Sequence, residues 1–183
     1  IDDFYKTRNE RKKLSKLKHP LLMNRGVPGT HDFKIISQFF KKIKIKNFKN
    51  IKVPRFDKSI DDRCNKRLWY NIKSRPDVII LEGWCVGAKA QKNSQITKPI
   101  NSLEKVKDLD LVWRKYVNTQ LKIHYKNLFN QLNEIIYLRV NNFKILQQWR
   151  IKQEKALWLK SKNRKNLRVM SRADILDFMQ TYQ

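Results

Sequence analysis

Two short runs constrain this chain more than any other feature. Val78-Ile79-Ile80-Leu81, which follows Pro76 and stops at Glu82-Gly83, and Ile135-Ile136-Tyr137-Leu138 are apolar at every position. A strand wetted on one face alternates apolar and polar side chains, whereas a strand covered on both faces is apolar throughout. The runs therefore read as strands of a parallel sheet buried on both faces. Ile1 to Tyr5 reads as the end of a further strand. Between these segments the periodicity is helical. Thr7-x-x-Glu10 is a capping box, and the helix it opens ends before Pro20. Phe33, Ile36, Phe39, Phe40 and Ile43 share one helix face. Asn101-x-x-Glu104 opens another helical region, followed by a stripe at Trp113, Val117, Leu121, His124, Leu128 and Leu132. Helices are predicted again over Phe143 to Lys160 and from Ser171-x-x-Asp174. Leu21 to Asp32 reads as turns, Val53 to Arg63 as a polar loop and Gln91 to Ile100 as a linker. Strands alternating with helices predict an α/β domain with a mostly parallel sheet, and 183 residues suit a single domain.

Charge bears on partners. There are 42 Lys and Arg against 16 Asp and Glu, a formal net charge of +26, densest at Lys41 to Lys49 and Lys160 to Arg168. Such an excess fits either polyanion binding or a solvated, lysine-rich surface. No zinc-finger, homeodomain or RNA-recognition pattern accompanies it, so the solvated surface is the reading preferred and no specific nucleic-acid partner is expected. No stretch approaches the roughly 18 apolar residues that a membrane span requires, so no membrane association is expected. Cys64 and Cys85 have no metal-ligand or CxxC spacing, which predicts inert thiols in a reducing, cytoplasmic setting.

In open parallel sheets, ligands bind beyond the carboxyl ends of the strands. Asp2 and Asp3 stand at one such end and Glu82 at another. Acids there hold a magnesium ion or accept a proton from a hydroxyl, although acids at strand ends also cap helices. Arg25-Gly26-Val27-Pro28-Gly29-Thr30-His31-Asp32 combines a tight turn with two donors for an anion, Arg25 and His31; an ordinary turn is the plainer alternative. Pro54-Arg55-Phe56-Asp57-Lys58-Ser59 followed by Asp61-Asp62-Arg63 is a second polar block. His19 and His124 read as structural.

Taken in order, IDDFY, RGVPGTHD, VPRFDKS with DDR, and LEGWCVGAK resemble the D-glycerate 3-kinase-like branch of the P-loop kinases, with uridine kinase and phosphoribulokinase as more distant relatives. These blocks lie within residues 1–91, and Trp149-Arg150 with Gln153-Glu154 continues the likeness. The resemblance implies a three-layer kinase fold that uses ATP and Mg²⁺ to phosphorylate a small hydroxy acid, D-glycerate. It makes Asp2 the acid that deprotonates the acceptor hydroxyl, Asp3 a possible magnesium ligand, and Glu82 the Walker B-type acid that orders magnesium. Arg25, His31 and Arg55 become candidates for the acid's carboxylate and hydroxyls, oriented by Asp57. Arg150 falls in a phosphate-facing lid over about residues 143–168 and is the candidate contact to ATP. One element departs from the family. The four glycines, Gly26, Gly29, Gly83 and Gly87, fit no GxxxxGK[ST] loop. In the family that loop precedes IDDFY, and the chain starts with Ile rather than Met. Truncation, with the N-terminal strand and P-loop missing, is therefore expected rather than evolutionary loss. The 183 residues alone are expected to be inactive, and Gln183 reads as falling inside a helix. Two alternatives stay open: a kinase of another small hydroxylated acceptor, and a non-catalytic basic nucleic-acid-binding protein on the kinase scaffold. Oligomeric state is not readable.

Overall fold

A computed structural model describes residues 1–46 and 48–183; Asn47, inside the basic run Lys41 to Lys49, lies outside the described residues. Helix α1 (Arg8–Leu17) begins where expected because its capping box closes. The Glu10 amide donates to Thr7 Oγ1 at 3.2 Å and the Thr7 amide donates to Glu10 Oε2 at 2.7 Å. Such a cap contributes about 1 kcal/mol. Helix α2 (Phe33–Ile43), capped by Asp32, buries Ile36, Phe40 and Ile43.

The expected polar loop at 53–63 is instead two short antiparallel ladders. Strand β1 (Ile51–Val53) pairs with β4 (Tyr70–Ile72), Ile51 opposite Ile72; β2 (Phe56–Asp57) pairs with β3 (Asp62–Arg63), Phe56 opposite Arg63. Further along come α3 (Asn93–Ile96), inside the expected linker, and α4 (Ser102–Lys107), capped by Asn101. Next is a rod made of α5 (Val112–Gln120), a π turn (Leu121–Tyr125) and α6 (Lys126–Phe129). The chain closes with α7 (Phe143–Ser161) and α8 (Arg172–Met179), the latter opened by the Ser171/Asp174 capping box.

The two apolar runs depart from expectation. Neither 78–81 nor 135–138 joins a ladder among the described residues, and Ile80 is 87% and Ile136 85% exposed. A run apolar at every position becomes a buried strand only when neighbours cover both edges and both faces. Ile1 to Tyr5 is likewise not a strand but a single 3₁₀ turn over Asp2–Phe4. The ends of two of the expected strands nevertheless lie side by side, the Ile1 nitrogen donating to the Glu82 carbonyl at 2.6 Å.

Two apolar clusters make the core. Ile1, Phe4, Ile36, Phe40, Cys85, Tyr125, Leu128 and Phe129 form one; Leu21, Leu22, Val27, Leu103 and Trp113 form the other. The α5–π–α6 rod belongs to both and ties them together. Full burial of a side chain such as Leu22 or Ile36 is worth roughly 1.5–3 kcal/mol. The predicted stripe on this rod holds except at His124, which is exposed while Tyr125 is fully buried. The reason is the π turn. Lys126 N–H bonds back five residues to Leu121, and the widened turn brings Tyr125 inward.

Candidate active site

The four sequence blocks meet in one place. His31 pairs with Tyr5 through an antiparallel bridge, Lys6 N–H donating to Thr30 and Asp32 N–H to Phe4 at 2.9 and 2.8 Å. Arg63 donates to the Tyr5 carbonyl at 2.7 Å and to Asp32 at 3.0 Å, which ties in the third block. The fourth is fixed by the Ile1–Glu82 contact and by Trp84 Nε1, which donates to the Gly26 carbonyl at 2.9 Å. Gly29 is required by its neighbours. Its φ is +101°, and a Cβ there would stand 2.5 Å from the Tyr116 ring.

Asp2 lies at the centre. It accepts from the Tyr5 hydroxyl at 3.0 Å and pairs with Lys58 at 2.7 Å. Burial works to raise the Asp2 carboxyl, but Lys58 and the Tyr5 hydrogen bond outweigh it and hold the group below its ordinary value. The Tyr5 ring stacks on His31 with centroids 4.4 Å apart. His31 is 1% exposed, and burial pushes it down to about 3, so it stands here as a neutral imidazole rather than a cation. Its Nδ1 faces the Tyr125 hydroxyl at 2.5 Å, and its Nε2 has no partner among the described residues.

Arg25 is close by but already paired, its Nη1 on Asp61 at 2.5 Å. Asp61 also takes Arg8 at 2.9 Å and Arg11 at 3.0 Å, so one carboxylate serves three guanidiniums and positive charge is in excess there. Arg150 binds Glu154 at 2.7 Å and lies over the Phe178 ring at 5.8 Å. Arg150 and Arg25 both act on the Tyr182 hydroxyl, pulling down a group that burial raises strongly. Arg150 and Arg25 are therefore both within electrostatic reach of Tyr182. Two further candidates flank Phe56, whose amide binds Asp3, but their side chains are engaged with other partners. Arg55 is exposed and lies over Tyr70 at 5.7 Å. Asp57 accepts from Ser59 and from Arg164 at 2.8 Å, so the arginine it orients is Arg164.

Glu82 is exposed, whereas one Asp3 oxygen is taken by the Phe56 amide at 2.8 Å. No group of three or more His, Cys, Asp or Glu able to hold a metal occurs among the described residues. Magnesium commonly needs only one or two carboxylates, with phosphates and water completing its shell. Asp3 and Glu82 fit that demand; a dedicated protein cage is not present among the described residues. Nothing in residues 1–183 supplies a glycine-rich cradle for the phosphates.

Several participants are not evident from sequence: Tyr5, Lys58, Asp61, Arg11 and Tyr125. Tyr5, Lys58 and Asp61 lie inside the IDDFY, VPRFDKS and DDR blocks, whereas Arg11 and Tyr125 lie outside all of them. Arg11 looked like one more charge on a basic helix, yet it is fully buried and donates to the carbonyls of Met23 and Asp61.

No family model matches the chain. Across 100% of its length the chain follows the fold of the D-glycerate 3-kinase from Cryptococcus neoformans var. grubii, with a TM-score of 0.79 and 24% identity over 64% of that structure. This is the α/β fold of the P-loop kinases. By sequence the chain is 26% identical to the uncharacterized kinase mug58 of Schizosaccharomyces pombe, over 100% of this chain and 65% of that protein. It is 31% identical to the probable ATP-dependent kinase TDA10 of Saccharomyces cerevisiae, over 86% and 55% respectively. With the chloroplastic D-glycerate 3-kinase of Arabidopsis thaliana it shares 26% identity, over 86% and 34%. The chain is thus similar in sequence to kinases, one of them a D-glycerate 3-kinase. It spans between about a third and two thirds of the length of the curated relatives it matches. No helix among the described residues is long and apolar enough to cross a membrane.

Proposed function

We propose that this chain carries the acceptor side of an ATP-dependent kinase, a phosphotransferase to an alcohol group, whose acceptor is D-glycerate. The observation that carries this reading is the meeting of four distant sequence blocks around Asp2, with Tyr5, His31 and the Arg25–Asp61 pair beside it.

Phosphoryl transfer asks the protein for positioning and charge neutralisation more than for a strong base. Asp2 suits that demand: held ionised by Lys58 and Tyr5, it orients the acceptor hydroxyl and receives its proton late. Arg25, largely buried and paired with Asp61 through Nη1, has further N–H donors for a carboxylate, which favours an acid over an uncharged nucleoside. His31 adds a neutral donor. Glu82, with the free oxygen of Asp3, would supply carboxylate ligands for Mg²⁺, and Arg150 would be the contact to the phosphates of ATP. When bound, MgATP supplies the γ-phosphoryl group. The side chains of Arg55 and Asp57 are engaged with Tyr70 and with Ser59 and Arg164. Asp57 instead anchors Arg164, and with it the region about 143–168 as a lid on a single kinase domain working in the cytoplasm.

ATP consumption by the full-length gene product tests the reading. D-glycerate should stimulate it far more than uridine or ribulose 5-phosphate. Equal or better turnover of the nucleoside would overturn the proposal.

A further inference from the structure

Tyr125 stands at the inner edge of the π turn and is fully buried, yet its hydroxyl has two polar neighbours. Gly29 N–H donates to it at 2.9 Å, and His31 Nδ1 lies 2.5 Å away. The Gly29 amide can only donate, so the Tyr125 oxygen accepts there. The hydroxyl's single hydrogen is then left for His31 Nδ1, which must be the bare nitrogen, and the ring proton must sit on Nε2. The opposite tautomer would leave two groups unsatisfied, the Tyr125 hydrogen and the Nε2 lone pair. The first arrangement leaves one, the Nε2–H donor, which has no partner among the described residues. A buried, unpaired donor is costly, and in native proteins it usually has a use. The ring cannot easily turn away. Tyr5 covers one face of it, and the backbone on either side of His31 is tied into the bridge with Tyr5.

We propose that Tyr125 is a positioning residue: through Gly29 and its own hydroxyl it locks His31 in the Nε2–H tautomer. His31 thereby holds one uncharged donor, its buried Nε2–H, for an oxygen of the acceptor beside Asp2. The assignment of that acceptor rests on the function proposed above; the tautomer lock does not. The lock suits an anionic centre. An imidazolium would compete with Lys58 for Asp2, whereas a neutral N–H binds an acceptor oxygen and leaves that pair intact.

Nitrogen-15 NMR of the histidine-labelled protein near neutral pH reads the lock directly. His31 should show a protonated Nε2 and an unprotonated Nδ1, and Tyr125→Phe should give a mixture of tautomers. A proton on Nδ1, or a doubly protonated ring, in the wild-type protein overturns the proposal. In the full-length gene product, Tyr125→Phe should raise the KM for D-glycerate about tenfold with little change in kcat, the scale of one lost hydrogen bond. His31→Gln, whose amide N–H falls near the Nε2 position, should retain more acceptor affinity than His31→Asn, whose amide mimics Nδ1. An unchanged KM in Tyr125→Phe, or Asn outperforming Gln, refutes the positioning role. If the wild-type protein turns over no D-glycerate, the proposed function falls while the NMR result still decides the lock.

Discussion

Asp61→Asn should remove a large share of this fold's stability while changing almost nothing in shape. Asp61 has φ of 55°, a left-handed conformation that asparagine adopts at least as readily as aspartate, so the backbone gives no penalty. What changes is charge. The carboxylate holds Arg8, Arg11 and Arg25 at 2.9, 3.0 and 2.5 Å, and its side chain is only 12% exposed. One such pair is worth about 4 kcal/mol of bare attraction near a protein surface. Neutralising Asp61 deletes three attractions and leaves the mutual repulsion of the guanidiniums. Arg8, 34% exposed, recovers hydration, whereas Arg11, with no exposed side-chain surface, cannot. Relaxation returns part of the rest, so the expected loss is about 3–5 kcal/mol, the usual cost of breaking a buried pair from one side. Against a total of roughly 5–15 kcal/mol that is severe. At roughly 2–4 °C per kcal/mol for a chain of this size, the melting temperature should fall by about 6–20 °C. Urea unfolding followed by tryptophan fluorescence measures it, with Arg8→Ala as the control expected to cost about 1 kcal/mol or less. A loss below about 1 kcal/mol for Asp61→Asn would refute the electrostatic account.

Glu82→Gln in the full-length gene product should lower turnover by about 10²-fold or more while leaving the acceptor KM nearly unchanged, as expected for a lost preorganised charge; near wild-type turnover would make Glu82 an ordinary solvated acid at a chain turn. The Asp2 carboxyl is held below its ordinary 3.8, so its stabilisation is present above that pH and disappears as pH falls through the lower folded value. Lys58→Ala should therefore flatten the loss of stability in acid, and an unchanged acid limb in denaturation scans would contradict the pairing. Burial pushes the Cys85 thiol up to about 12, so iodoacetamide near pH 8 should leave Cys85 unmodified until the protein unfolds, with Cys64 reacting first; rapid labelling of Cys85 in the native protein would overturn this.

What was legible in the sequence was local. The capping residues Thr7 with Glu10, Asn101 with Glu104 and Ser171 with Asp174 each act within one turn, so spacing alone locates them. The spacing of Phe33 to Ile43 did the same for α2. The misreadings came where the decisive partner is distant. Strands β2 and β3 form in a polar segment because Asp3 accepts from Phe56, Asp62 from Arg8 and the Tyr5 carbonyl from Arg63, contacts that leave no periodicity. The runs at 78–81 and 135–138 have strand composition, but composition does not supply the neighbours that make a ladder. The site followed the same division. Asp2, Arg25 and His31 were recognisable as residue types in dense blocks, and the structure brings them near one another. Arg25's commitment to Asp61, 36 positions away, and Asp57's to Arg164 are tertiary facts.

The π turn has a bearing on which changes of length the rod can tolerate. A turn closed by a five-residue hydrogen bond absorbs one residue more than an α-helical turn, so the flanks keep the facing they would have in an unbroken helix. Trp113 before it and Leu128 and Phe129 after it all point into the core. Deleting one of the exposed residues Lys122, Ile123 or His124 would let the segment rewind as plain α-helix with both flanks still seated, and only the Tyr125 ring would be re-aimed. An indel of one residue, normally ruinous in a buried helix, becomes here a means of withdrawing the Tyr125 ring from His31 and from the first core cluster while the flanking core residues stay seated.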